Sequence, residues 1–207
     1  MQARELAVVG AFEFSATIHE DERGFFVSPF EEKAFMAAVG HPLFAPNQVS
    51  VSKSRYGVLR GVHFTATPPG RPKYAYCPRG RAYDIVVDLR TGSPTYGDHD
   101  VVELDQERMR AVYLPVGVGH AFVALEDNTS MCYLLSGEYV PEDELALHPL
   151  DPALGLPLPE GLVPIMSERD VAAPTLTEAE ESGLLPDYAT CRALERALWQ
   201  ADGAAPT

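Results

Sequence analysis

The chain has 207 residues, of which 46% are hydrophobic and 22% are charged. These values fit a globular domain and exclude a disordered or collagen-like chain. The net charge of −14 argues against general binding of nucleic acids or anionic membranes. The first residues lack the apolar stretch of a signal peptide, no apolar run could span a membrane, and the three cysteines are an odd number. We therefore expect a cytoplasmic protein with free thiols.

The charge is unevenly distributed along the chain. Residues 50–90 carry eight Lys or Arg and two Asp, a net charge of +6, whereas residues 138–207 carry three basic and fourteen acidic residues, a net charge of −11. A basic stretch within an acidic chain suits a small anionic ligand. Solvated arginines on exposed loops explain the same stretch equally well, so both interpretations stay open at this point.

The first two thirds of the chain carry one helix signal followed by strand signals. Residues 31–40 begin with acids and end at a glycine, as a short helix does. Residues 47–90 and 99–137 contain short β-type runs, with turn signals roughly every ten residues, which predicts an antiparallel sandwich or barrel. Among all-β folds of this strand density, the jelly roll is the leading candidate. Alternation in one run places Asp84 and Asp88 on one face, which is either solvent-exposed or lines a polar cavity.

The C-terminal third combines an irregular segment with short helices. Residues 141–166 are rich in proline and acids, and we expect this long connection to pack over a site or an interface. Thr175 and Glu178 match a capping box, and an Asp precedes a last amphipathic helix. These patterns predict a single all-β domain over residues 1–200 with short terminal helices, and a disordered tail over residues 201–207.

The segment Arg60-Gly61-Val62-His63 is the first candidate for chemistry. In a regular strand Arg60 and His63 point to opposite faces, so their joint use requires a wide pocket or a bulge at Gly61. Jelly-roll metalloproteins often carry a His-x-His pair, but His63 and His120 are both single and the pair occurs nowhere in the sequence. No metal site is expected, and an isolated histidine is most often structural.

Eight motifs along the chain nevertheless carry a family resemblance. In order, they are DERGFF (21–26), QVSVS (48–52), GVLRGVHF (57–64), PKYAYCPRGRAYDIVVDLR (72–90), GSPTYG (92–97), YLPVGVGHAFVAL (113–125), CYLLSGEYVPEDE (132–144) and MSERDVAAPTL (166–176). Together they resemble the dTDP-4-dehydrorhamnose 3,5-epimerase family of cupins, and the GLLPDY ending is similar to its antibiotic deoxysugar branch. The resemblance implies a cupin jelly-roll (double-stranded β-helix) barrel. It also implies an isomerase that inverts C5, C3 or both of a dTDP-4-keto-6-deoxyhexose without metal or redox cofactor.

The implied reaction requires three chemical parts. Removing a proton beside a ketone needs a base, a cation or donor at the enolate oxygen, and an acid on the opposite face of the ring. By resemblance His63 is the base and Asp170 its orienting carboxylate, Lys73 stabilises the enolate, and Tyr133 is the acid. Taken singly, Tyr133 in a strand is usually a core residue, Asp170 fits a helix-start or turn acid, and Lys73 after a proline is usually solvated. Only their joint occurrence in the family's order favours catalysis.

The resemblance also assigns a set of ligand contacts. Arg23 and Arg60 would bind the diphosphate, and Asp84 would pair with Lys73 and keep it charged. The family takes the segment with Arg23 from a partner chain, which implies a homodimer. The full set of substrate-binding residues implied is Arg23, Phe26 (near the thymine), Gln48 (on the nucleotide), Arg60, His120, Tyr139 and Glu144.

Several positions depart from the usual family pattern and bear on its finer assignments. They are Ser28 for Glu, Ser50 for Asn, Thr65 for Gln, Glu138 for Tyr and Arg169 for Lys. These differences leave open which nucleotide contacts are kept and whether C3, C5 or both react. Two other functions of the same fold stay in view. A nucleotide-sugar 3,4-ketoisomerase would not be expected to share the motifs of Tyr133 and Asp170, and a non-catalytic nucleotide-sugar-binding cupin would tolerate the loss of base and acid.

Overall fold

The computed structural model describes residues 1–202, with side chains for residues 1–200. Its strands are β1 (Gln2–Glu5), β2 (Phe12–Ser15), β3 (Ile18–Asp21), β4 (Gly24–Val27), β5 (Gln48–Ser54), β6 (Leu59–Thr65), β7 (Lys73–Arg79), β8 (Arg81–Asp88), β9 (His99–Asp105), β10 (Arg110–Leu114), β11 (Val118–Ala124), β12 (Thr129–Leu135) and β13 (Glu144–Ala146). Its helices are α1 (Glu32–Val39), α2 (Glu168–Val171), α3 (Leu176–Glu181) and α4 (Tyr188–Asp202).

The strands form two large antiparallel sheets and one separate hairpin. One sheet has the order β1-β2-β10-β7-β12-β5, and the other has the order β13-β6-β11-β8-β9. Within residues 1–202, strands β3 and β4 pair only with each other. Neighbours in both sheets are mostly distant in sequence, as the Greek-key connections of a jelly roll require. The prediction of an all-β cupin jelly roll is therefore confirmed.

Buried side chains fill the space between the sheets and cover both outer faces. Successive residues of β10 alternate: Val112 and Leu114 pack into the core between the sheets, whereas Ala111 and Tyr113 pack outward against α1. The outer face of the second sheet, with Val62 of β6, is covered by residues 145–166 and by α3. Because both faces are buried, β11 is buried along its whole length instead of alternating.

The helix ends follow the capping signals in the sequence. Gly40 ends α1 in the left-handed conformation, with φ of 87°. Thr175 and Glu178 form the predicted capping box at the start of α3. Asp187 accepts a hydrogen bond from the backbone N–H of Thr190 at the start of α4. These helix predictions are confirmed.

The remaining segment predictions have mixed outcomes. Residues 145–166 pack over the second sheet, as expected for a long connection that covers part of the molecule. The strands over residues 2–27 were not predicted. Of the expected tail, Asp202 still belongs to α4 and residues 203–207 lie outside the described part. The single domain over residues 1–200 stays a prediction. No helix within residues 1–202 combines the length and apolar character needed to cross a membrane.

Candidate active site

A cavity of about 240 Å³ opens between the two sheets. The first sheet lines it with residues of β5, β7 and β12, and the second with residues of β6, β11 and β13. Three of its lining residues are cationic and one is a carboxylate, so the cavity suits an anionic ligand. The lining residues are Ser50, Ser52, Arg60, His63, Lys73, His120, Phe122, Tyr133, Leu135, Tyr139, Glu144 and Arg169.

A bulge in β6 brings Arg60 and His63 to the same cavity. His63 lies opposite His120, and Arg60 lies opposite Phe122, so β6 advances three residues while β11 advances two. The extra residue falls at Gly61, whose φ is +120°. A Cβ at this position would lie 2.5 Å from the carbonyl oxygen of His120. Only glycine fits here. Of the two arrangements expected to allow joint use of Arg60 and His63, a wide pocket or a bulge at Gly61, the structure has the bulge.

The His63 imidazole is fixed by a carboxylate from α2. Nε2 of His63 lies 2.6 Å from Oδ1 of Asp170, whose side chain is only 3% exposed. The Ser167 hydroxyl caps α2 by accepting from the Asp170 backbone N–H. Burial alone would raise the pKa of Asp170, but the hydrogen bond and charge of His63, together with Ser167 and the charge of Arg169, outweigh burial, so the pKa lies below its usual value. Asp170 is therefore an ionised partner that orients the ring.

Tyr133 stands on the other sheet and faces the same cavity. It belongs to β12, in which Met131 packs into the core between the sheets, and its ring meets that of His120 edge-on at 5.9 Å. Burial, and next the negative charge of Asp84, raise the pKa of the Tyr133 phenol. The phenol thus stays protonated at neutral pH. The structure brings His63 and Tyr133 into one cavity from opposite sheets.

A second His–carboxylate pair includes His120 of the cavity lining. Nε2 of His120 lies 2.8 Å and 2.9 Å from the two oxygens of Asp84, which is fully buried. Asp84 is directly opposite Phe122 on β8 and β11, which places it diagonally across from His120 on the interior face. The prediction that Asp84 pairs with Lys73 is therefore wrong, because the register of β8 and β11 gives this carboxylate to His120.

Lys73 pairs with Glu144 instead. The ammonium nitrogen of Lys73 lies 3.5 Å from Oε2 of Glu144. The Arg71 guanidinium lies 3.6 Å from the other carboxylate oxygen and donates to Asp143 at 2.9 Å. Burial lowers the pKa of Lys73, and the charge of Glu144 opposes that effect.

Three of the expected ligand residues lie away from the cavity of their own chain. Arg23 and Phe26 belong to the β3–β4 hairpin, where the Arg23 side chain is 85% exposed and Phe26 is 70% exposed. Gln48 supports the cavity indirectly, because it donates to the Ser50 hydroxyl and accepts from the backbone N–H of Tyr139. The other expected ligand residues (Arg60, His120, Tyr139 and Glu144) all line the cavity.

Sequence reasoning did not assign several cavity residues to the site. Side chains on one face of a strand recur every two residues, so Phe122 could have been inferred from His120, and Leu135 from Tyr133. Ser52 follows from Ser50 in the same way. Arg71 does not line the cavity but pairs with Glu144, which does, and no sequence signal indicates this pair because Arg71 precedes β7 and lies far from Glu144 in the chain. Among residues 1–202, no group of three His, Cys, Asp or Glu side chains is arranged to hold a metal ion.

Comparison with known proteins identifies relatives that are similar over nearly their whole length. The chain is 43% identical over 198 residues to a dTDP-4-dehydrorhamnose 3,5-epimerase of Mycolicibacterium smegmatis, covering 96% of this chain and 97% of the relative. It superposes with a TM-score of 0.89 and 46% identity on a 4-keto-6-deoxy sugar epimerase from the novobiocin biosynthetic gene cluster of Streptomyces spheroides, covering 92% and 95% of the two chains.

A third similar protein carries a bound nucleotide sugar. It is a 3'-monoepimerase from Streptomyces bikiniensis in complex with dTDP-quinovose, with a TM-score of 0.89, 42% identity and coverage of 97% and 100%. Residues 5–178 match the sequence model described as dTDP-4-dehydrorhamnose 3,5-epimerase. With a match of this extent and relatives aligned over nearly their whole length, the chain belongs to the dTDP-4-dehydrorhamnose 3,5-epimerase family, whose members are isomerases of EC class 5.1.3.

Proposed function

We propose that this chain is a cofactor-independent epimerase that inverts C5, C3 or both of a dTDP-4-keto-6-deoxyhexose in antibiotic deoxysugar biosynthesis. The observation that carries the proposal is the placement of His63 and Tyr133 on opposite sheets around one cavity, with Lys73 beside them. Inversion of a carbon centre needs a base on one face and an acid on the other, and this cavity offers both.

The first step is proton abstraction from carbon by His63. Its Nε2 is held by the Asp170 carboxylate, so in the neutral imidazole Nε2 carries the proton and Nδ1 carries the lone pair. Nδ1 therefore takes the proton from the carbon next to the ketone, and Asp170 stabilises the imidazolium that forms. The C–H electron pair moves onto the C4 oxygen as an enolate, which the Lys73 ammonium stabilises.

The second step is protonation of the opposite face by Tyr133. The phenol gives its proton to the carbon as the enolate collapses back to the ketone, which leaves the inverted centre. The raised pKa of Tyr133 favours this role, because the group stays protonated until the carbanion forms and then becomes a strongly basic phenolate. Water restores the phenol and removes the proton from His63 before the next cycle.

We propose further that the enzyme is a homodimer in which the β3–β4 hairpin of one copy completes the site of the other. Phe26 would lie against the thymine, and Arg23 would join Arg60 at the diphosphate. Two features support this. The hairpin exposes Phe25 and Phe26, and β5, at the edge of the first sheet next to the cavity, exposes Val49 at 62% and Val51 at 68%. Such edges are normally covered.

The cytoplasm is the proposed compartment, since the cysteines are free and buried.

Solvent exchange tests the proposed reaction. Chelator-treated protein is incubated in deuterated water with the 4-keto sugar nucleotide, and C3 and C5 are followed by NMR. Deuterium at either carbon, together with the inverted sugar, supports the proposal and identifies the reacting carbon. Binding without exchange would overturn it in favour of a non-catalytic binding cupin. Appearance of a 3-keto sugar would overturn it in favour of the ketoisomerase.

Mixed dimers test the shared site. His63→Asn removes the base but keeps the hairpin, and Phe26→Ala does the reverse. Mixing two poorly active variants should restore up to one intact site per mixed dimer, which combines the base of one chain with the hairpin of the other. If the subunits exchange and the mixture is no more active than the separate variants, the shared site would be contradicted.

A further inference from the structure

The strongest feature that the proposed mechanism does not use is the carboxylate next to Lys73. Lys73 and Glu144 come from different sheets, and their charged groups meet at 3.5 Å inside the cavity. Their side chains are 14% and 11% exposed, so water screens this pair only in part. A carboxylate in this position affects both where the ammonium lies and whether it keeps its proton.

Three neighbours hold Glu144 in this position. The Thr65 hydroxyl donates to Oε1 of Glu144 at 3.2 Å, across the β6–β13 pair in which Thr65 and Glu144 are direct partners. The Arg71 guanidinium lies 3.6 Å from the same oxygen. Arg169 donates to the Glu144 backbone carbonyl at 2.7 Å. One carboxylate oxygen is thus engaged by Thr65 and Arg71, and the other faces Lys73.

We propose that Glu144 is a positioning residue that holds the Lys73 ammonium charged and directed at the enolate oxygen. The proposal deepens the proposed function and rests on the role of Lys73 in it. Glu144 lines the same cavity, yet its carboxylate is occupied by Lys73, Arg71 and Thr65. Its main effect on catalysis therefore passes through the lysine, and substrate contact is secondary.

The charges around Lys73 make this support necessary. Burial lowers the pKa of Lys73, and the positive charges of Arg71 and Arg169 lower it further, whereas Glu144 raises it. Glu144 is the carboxylate among the residues that line this cavity. The other titratable or charged groups that line it are His63 and Arg60 of β6, His120 of β11, Tyr133 of β12, Tyr139 and Arg169. Without Glu144 the lysine would face a mostly cationic wall and would lose its proton at a lower pH.

The test is the pH dependence of solvent exchange in Glu144→Gln. We would measure kcat/KM for deuterium incorporation from about pH 6 to about pH 10, which brackets a lysine with a lowered pKa. Loss of an opposite charge at this distance should move the alkaline limb to lower pH by about 1–3 units. Activity should therefore recover toward that of the parent protein at the acidic end. A merely structural defect would lower the rate by the same factor at every pH.

Asp143→Asn is the matched control. Asp143 precedes Glu144 and pairs with Arg71, but it makes no contact with Lys73 in the described interactions. Its alkaline limb should coincide with that of the parent. If the parent protein is active and the alkaline limb of the kcat/KM profile lies at the same pH in Glu144→Gln, the proposal would be overturned. If the parent showed no exchange at all, the proposed function itself would fail, which is a different result.

Thr65→Val decides the question if Glu144→Gln does not fold. Valine keeps the shape of the buried threonine but removes the hydroxyl that orients the carboxylate. A smaller shift of the alkaline limb in the same direction is expected. A profile identical in shape to that of the parent would overturn the proposal by this route.

Discussion

Nε2 of His63 and Oδ1 of Asp170 lie 2.6 Å apart, although 107 residues separate them in the chain. The contact joins a bulged strand of the second sheet to a four-residue helix that the Ser167 side chain caps. Because the hydrogen bond uses Nε2, it selects the tautomer whose Nδ1 can accept a proton. A carboxylate distant in sequence thereby determines which ring atom does the chemistry.

The first prediction concerns this pair. Asp170→Asn keeps the size of the side chain but removes the charge that stabilises the imidazolium, and an amide can also favour the wrong tautomer. Solvent exchange at both carbons should fall by roughly 10²–10⁴-fold, as for other general bases that lose their orienting group. NMR in deuterated water measures it.

His63→Asn provides the reference for that experiment. It should abolish exchange at C3 and at C5 alike, while nucleotide binding, measured by calorimetry, persists. Substantial residual exchange at either carbon would mean that His63 is not the sole base. A rate for Asp170→Asn equal to that of the parent would remove Asp170 from the mechanism.

The second prediction concerns acid stability. The folded pKa of Asp170 lies below the model-compound value of 3.8. Its ionised form therefore stabilises the fold above about pH 4, and this contribution is lost as pH falls through the lowered folded pKa. Asp170→Asn should be less stable than the parent at neutral pH, and the difference should narrow in acid. Chemical denaturation at a series of pH values measures this.

The exposed Asp98 supplies the control for acid stability. Asp98→Asn should follow the pH dependence of the parent closely. A constant difference between Asp170→Asn and the parent at every pH would indicate that lost packing, and not the ionised carboxylate, accounts for the effect.

The third prediction separates the two faces of the reaction. Tyr133→Phe removes the acid but leaves His63 to abstract and return the proton on its own face. Inversion at C5 should therefore slow more than washout of the C5 hydrogen into solvent. Parallel measurement of product sugar and of deuterium content gives the two rates. An equal loss of both rates would argue that Tyr133 does not protonate the far face.

Which carbon reacts is a question for the same experiment. The chain is 43% identical to a 3,5-epimerase and 42% identical to a 3'-monoepimerase, so overall similarity favours neither. The resemblance of the sequence to the family implies a tyrosine where this chain has Glu138, next to Tyr139 in the cavity wall, and this position stays a predicted determinant of the choice. Exchange at C3 alone, at C5 alone or at both carbons will assign the specificity directly.

The sequence predicted those features of the fold that are encoded locally. Strand alternation placed Asp84 on one face with Asp88, and glycine and capping residues located helix ends. The spacing of Arg60 and His63 called for a wide pocket or a bulge at Gly61, and the structure has the bulge. These signals depend on neighbours a few residues apart. The short strands between residues 2 and 27 lack such a signal, because β3 and β4 are largely exposed and do not alternate.

Local sequence patterns did not predict which groups the buried charges pair with. Asp84 pairs with His120 because of the register between β8 and β11, and Lys73 meets Glu144 across the two sheets. Both pairings depend on how the two sheets assemble. Local periodicity carries no information about that assembly. The resemblance correctly identified the family, but it gave Lys73 a carboxylate from the wrong strand.

The last prediction tests the bulge. Alanine at Gly61 must adopt φ near +120°, and its Cβ would lie 2.5 Å from the His120 carbonyl oxygen and 2.6 Å from Cα of Ala121. The backbone conformation should cost about 1–2 kcal/mol, and the collision a further 1–3 kcal/mol or so. Gly92→Ala is the control, because Gly92 also has a positive φ, of +80°, with no atom within 4 Å of such a Cβ, and it lies outside both the hairpin and the cavity lining. Chemical denaturation should therefore separate the two variants, and loss of exchange activity in Gly61→Ala alone would follow from the displacement of Arg60 and His63. Equal destabilisation of both variants would mean that β6 can move away from β11 without cost, and that the bulge does not fix the base.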